Sequence, residues 1–81
     1  NNRLMKNVNY ETFDLVEASV LKYYSQKLEC INKTQKRAVF SFIKDDQTDQ
    51  LLKSYWERVL QVEPYAFSQC MRDVKDRLYN G

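Results

Sequence analysis

Histidine is absent from this sequence, and glycine and proline occur once each, as Gly81 and Pro64. The first absence excludes His-dependent triads, most zinc sites and any histidine pH switch. The second excludes glycine-rich phosphate cradles, whose backbone positions only glycine reaches. It also removes the breakers that punctuate hairpins and β-sandwiches, so an all-β fold is not expected. Cysteine is scarce: Cys30 and Cys70 lack metal-ligand spacing and read as two reduced, partly buried thiols, with a single disulfide as the alternative. No apolar run approaches the roughly 18–20 residues of a membrane-spanning helix, and no signal-peptide pattern opens the chain. The expected setting is intracellular, cytoplasmic or nuclear, and the abrupt start at Asn1 suggests a piece of a larger protein.

What is present is globular in composition: 43% apolar, 30% charged and 14% aromatic over 81 residues. A single domain of this size buries only about 60–65% of its unfolded surface, so its core is thin.

The longest helical signal runs from Tyr10 to Ile31. Phe13, Val16, Val20, Tyr24, Leu28 and Ile31 recur every three or four residues and predict one apolar stripe. Asn9 is its expected N-cap, with Glu11 and Asp14 in the first turn. Glu17 falls near the middle of that face. A carboxylate there must be exposed through a gap, the reading we favour, or pair with a base from another helix. Asn32 and Gln35 have capping-box spacing and predict a second helix over 33–44, although the stripe continues through Ala38 and Phe42 and also allows one long helix to Lys44. Asp46 or Thr48 is the expected cap of a third helix over 49–62, and Pro64 opens a fourth over 64–79.

The fold class expected is therefore all-α, a small bundle of about four amphipathic helices (10–31, 33–44, 49–62, 64–79) behind a lead-in segment, 1–9. Its expected core is Phe13, Val16, Val20, Tyr24, Leu28, Ile31, Val39, Phe42, Ile43, Leu52, Trp56, Val59, Phe67, Cys70, Met71, Val74 and Leu78.

No chemistry-bearing constellation emerges. The carboxylates are scattered, and Asp45, Asp46 and Asp49 read as a capping cluster, because a calcium loop's glycine and terminal Glu are missing. We therefore expect no catalytic or metal site, no cofactor, no small-molecule substrate and no membrane contact. The eleven rings (six Tyr, four Phe, one Trp) exceed what so thin a core needs. Tyr23, Tyr55, Tyr65 and Tyr79 lie at the edges of their apolar faces and are candidate partner-binding residues. The expected function is non-catalytic protein–protein interaction or self-association, with a homo-oligomer such as a homodimer as the expected form. The alternative is a nucleic-acid-binding helical domain that uses Lys33, Lys36 and Arg37, in an acid-free stretch, with Arg72, Lys75 and Arg77.

Trp56, Ser68-Gln69-Cys70-Met71-Arg72 and Val74-Lys75-Asp76-Arg77-Leu78 resemble the last two helices of a Myb/SANT-type trihelical domain. The likeness departs at Leu51 and Leu52, too close to Trp56 for that family's first helix, and at Asp73 and Asp76, which would face phosphates. Val20 to Ile43, through Leu28, Ile31, Val39 and Ile43, is similar to the insect BESS motif, a helical interaction module, without its Ser-Leu and Pro positions. Neither resemblance assigns a role to a residue.

Overall fold

The computed structural model describes residues 9–33 and 37–80. Six elements follow in order: strand β1 (Asn9–Thr12), helix α1 (Leu15–Tyr23), strands β2 (Leu28–Lys33) and β3 (Ala38–Ile43), and helices α2 (Asp46–Trp56) and α3 (Pro64–Asn80). The strands form one antiparallel sheet in the order β1-β3-β2.

The all-α bundle expected from the sequence is thus overturned: the chain is mixed α/β, and segments 10–31 and 33–44 supply nearly all of the sheet and, among the described residues, one short helix. The physical reason lies at the two ends of α1. Asp14, not Asn9, is its N-cap, accepting from Val16 N at 2.8 Å and Glu17 N at 3.4 Å, so Phe13 precedes the helix. At the other end Ser25 takes a left-handed φ of 70°. Ser25 N bonds to Lys22 O and Gln26 N to Leu21 O, both at 2.9 Å. These two bonds close a Schellman motif that stops the helix without glycine. Leu28 and Ile31, read as continuing the stripe, fall on β2 instead.

β3 is Ala-Val-Phe-Ser-Phe-Ile, rich in β-branched and aromatic side chains, and as a strand it alternates Phe40 and Phe42 toward the helices. Both rings are fully buried, each worth about 1.5–3 kcal/mol. Around them pack Leu28 of β2, Ala18 and Leu21 of α1, Leu51 and Leu52 of α2, and Val74 of α3. Five members of the expected core are instead exposed: Phe13, Val16, Ile43, Trp56 and Val59.

α2 also starts earlier than expected, because Asp45 is the cap and Thr48 its reciprocal partner at the third helical position. Asp45 Oδ1 accepts from Thr48 N at 3.0 Å and Asp45 N donates to Thr48 Oγ1 at 3.2 Å. The helix ends at Trp56, short of the expected residue 62, through a second Schellman motif with Arg58 at φ 65°. α3 lies where the sequence places its last helix. Glu63 caps it, accepting from Tyr65 N at 3.1 Å and Ala66 N at 2.7 Å.

Among the described residues every buried side-chain polar atom has a partner. Glu17, at 6% exposure, fits neither reading weighed from the sequence. Its oxygens accept from two neutral donors, Tyr10 Oη at 2.6 Å and Trp56 Nε1 at 2.9 Å. Of the lead-in, Asn9 opens β1 and residues 1–8 lie outside the described residues. No described helix is long and apolar enough to cross a membrane.

Candidate functional site

β3 is paired on both sides, which leaves β1 and β2 as edges. β2 is the longer edge, and it carries two of the devices that keep edge strands from pairing at random, a bulge and a lysine. The bulge lies between Leu28 and Cys30, where Glu29 is the extra residue. Its carboxylate is drawn over the sheet by Asn9 Nδ2, 3.3 Å from Glu29 Oε1 and 3.4 Å from Ser41 Oγ. The lysine is Lys33, at the end of the strand.

α3 passes beside this edge. Arg77 Nη1 reaches Leu28 O at 3.3 Å, and Lys33 Nζ reaches Leu78 O at 3.1 Å. Between strand and helix lies an open cleft of about 440 Å³ lined by Glu29, Cys30, Ile31, Lys33, Arg77 and Leu78. This volume falls within the roughly 300–1,000 Å³ typical of ligand sites. Neither base has a carboxylate within ion-pair distance among the described residues, so each charge is held only by a neutral carbonyl. Lys33 also lies at the C-terminal turn of α3, where the helix dipole favours a cation.

Of the six bases expected to form one nucleic-acid surface, five are described, and among these only Lys33 and Arg77 come together. Arg37 lies over the Phe13 ring, its guanidinium carbon 4.5 Å from the ring centre. Lys36 is outside the described residues. Arg72 and Lys75 are exposed on another side of α3: five residues along a helix turn Arg72 about 140° from Arg77.

The four tyrosines are also divided. Tyr23 works inside the fold: its hydroxyl accepts from Glu63 N at 3.0 Å, and its ring stands edge-on to Tyr24 and Phe67 at 5.1 and 6.1 Å. With Tyr24, whose hydroxyl donates to Gln61 O, it fastens the linker between α2 and α3 to the end of α1. Tyr55 is half-buried, and burial, with the charges of Asp14 and Glu17, raises its phenol pKa. Tyr65 and Tyr79 are 70% and 73% exposed on α3. None of the four lines the cleft. The sequence reading missed Glu29, Cys30, Ile31 and Leu78 as site residues. The only signal was the charged ends of the run Glu29-Cys30-Ile31-Asn32-Lys33, which does not alternate polar and apolar residues as a half-buried strand does.

Elsewhere, Tyr10 is held neutral by burial and by its hydrogen bond to the Glu17 carboxylate, both of which push its phenol pKa up. Cys30 is exposed, not partly buried, and Cys70 is half-buried; both are free thiols.

The arrangement defines a small α/β domain with one long sheet edge open beside a helix. The chain belongs to the family described as a domain of unknown function (DUF5659), whose model matches residues 7–80. No curated protein matches the chain, and no solved structure does.

Proposed function

We propose that this domain is a non-catalytic protein–protein interaction module of an intracellular protein, and that its docking site is the cleft between β2 and α3. The observation that carries this reading is the unpaired β2 edge beside a cleft whose two bases meet only backbone carbonyls. Partner strands dock on such edges by main-chain hydrogen bonds, with neighbouring side chains supplying selectivity. The non-catalytic part is supported by Glu17, whose two carboxylate oxygens are both occupied by internal donors. Two free thiols, one exposed, support an intracellular setting.

The test uses Cys30, which lines the cleft. A Cys70→Ser domain is immobilised and used to select from a random peptide library, then labelled at Cys30 with a bulky maleimide. The selected peptides are expected to lose binding on labelling. Failure to enrich any peptide, or binding indifferent to the label, overturns the proposal.

A further inference from the structure

We infer that the cleft takes an extended acidic peptide as an added strand beside β2; this rests on the interaction-module reading above. Ile43 N donates to Lys27 O at 3.3 Å, which makes Lys27 and Ile43 a hydrogen-bonded pair. In an antiparallel ladder the next pair, Leu28 with Phe42, is then non-bonded, and Leu28 turns its amide and carbonyl outward. The Arg77 bond to Leu28 O shows the same direction independently.

Beyond the bulge, Ile31 pairs with Phe40 and Lys33 with Ala38. Phe40 and Ala38 lie two and four residues from Phe42 along β3, so they share its orientation. The amides and carbonyls of Ile31 and Lys33 therefore also face the open edge, a ladder for an incoming strand to complete.

Charge selects the occupant. Side chains of an added strand that face α3 meet Arg77, Lys33 and Leu78. A carboxylate there gives Arg77 or Lys33 a charge-assisted bond in place of its bond to a neutral carbonyl, the stronger of the two. The single acid of the cleft, Glu29, is drawn away toward Asn9 on the face of the sheet opposite Phe40 and Phe42. Successive side chains of an added strand alternate between faces, so glutamates at every second position all reach the α3 side and its two bases, and the intervening valines lie on the other face. A second copy of the domain instead brings a second Lys33 and Arg77 to the same cleft, and like charges oppose that arrangement.

The experiment titrates the domain, with its backbone amides observed by NMR, with two blocked seven-residue peptides that alternate valine with glutamate or valine with lysine. The glutamate peptide is expected to shift the Ile31 and Lys33 amides and slow their hydrogen exchange, and the lysine peptide to leave them unmoved. A Lys33→Gln, Arg77→Gln domain, changed only at exposed positions, should keep its amide spectrum and bind the glutamate peptide about tenfold more weakly or worse. Equal binding of both peptides, shifts confined to another surface, or unchanged affinity of the double variant overturns the inference. Protection of Ile31 and Lys33 that grows with domain concentration alone assigns the edge to a second copy and also overturns it. If the glutamate peptide fails while library peptides bind in a Cys30-dependent way, only the acidic class falls; if both fail, the interaction-module reading falls too.

Discussion

Trp56 donates its indole N–H to Glu17 Oε2 at 2.9 Å, so a ring that is 60% exposed at the end of α2 secures a carboxylate buried in α1. Tyr10 of β1 supplies the other donor, and three elements thus meet at one side chain.

Replacing Trp56 by Phe keeps most of the ring and removes the N–H. We expect a loss of about 1–3 kcal/mol, the cost of leaving a buried acceptor unpaired. Urea unfolding followed by circular dichroism measures it; an unchanged midpoint would show that water replaces the indole.

Tyr10 sets a limit on the alkaline side. Its phenol pKa is raised in the folded chain, by burial first and then by Glu17, so above the ordinary phenol value the folded chain holds a proton that the unfolded chain has lost. Stability is therefore complete below about pH 10 and declines as pH rises beyond it. Tyr10→Phe should flatten that decline, and unfolding midpoints measured from neutral to strongly alkaline pH give the comparison.

The acid side depends on two caps. Hydrogen bonds from Thr48 hold the Asp45 carboxyl below its ordinary value, and those from the Ala66 and Tyr65 amides do the same for Glu63. Unfolded, both carboxyls take protons at higher pH than they do when folded. Their contribution is present above the ordinary carboxyl range and is lost as pH falls through the depressed values. Asp45→Asn keeps an acceptor for Thr48 N without the titration, so its stability should vary less between pH 5 and pH 2.

Arg58 and Ser25 occupy left-handed positions, at φ 65° and 70°, that favour glycine. Arg58→Gly and Ser25→Gly should each raise stability by about 0.5–1 kcal/mol, the relief of left-handed strain less the added freedom of the unfolded chain. Each should shift the urea midpoint upward with the slope unchanged, and a downward shift counts against a strained turn.

Phe42 and Val59 separate the mixed fold from a helical bundle, in which both would be core. Phe42→Ala should cost about 3–5 kcal/mol, enough to threaten a domain this small. Val59→Ser, at a side chain 62% exposed, should stay within about 0.5 kcal/mol. Comparable losses from the two would contradict the observed packing.

These residues also explain how much of the fold was legible. Pro64 with the apolar repeat from Phe67 to Leu78 marks α3 to within a residue or so, because a strong start signal and a long period coincide. The stop signals of α1 and α2 are Ser25 and Arg58, residues that carry no breaker signature, so both helices run too long when read from sequence. The sheet was hidden for a related reason. Scarcity of glycine and proline argued against hairpins, yet β2 and β3 are joined by Thr34-Gln35-Lys36-Arg37, which contains neither. In β3, Ala38, Phe42 and Ile43 also satisfy helical spacing, and only the Phe40-Ser41-Phe42 alternation spoke for a strand. At the candidate site, Lys33 and Arg77 were legible as bases in biased stretches. Their meeting depends on α3 lying beside β2, which no local pattern encodes.

The strand order has a consequence for the nascent chain. β1 and β2 are both synthesised before β3, and they share no backbone ladder; each finds its pairing strand in β3. A ribosome-bound chain that ends at Lys33 thus holds two strands, a helix and no sheet. Emergence of Ala38–Ile43 lets both ladders close and supplies Phe40 and Phe42 in the same event. Folding during translation is therefore a late, all-at-once step, and force measurements on arrested chains of increasing length should register no sheet-forming transition until β3 has cleared the exit tunnel.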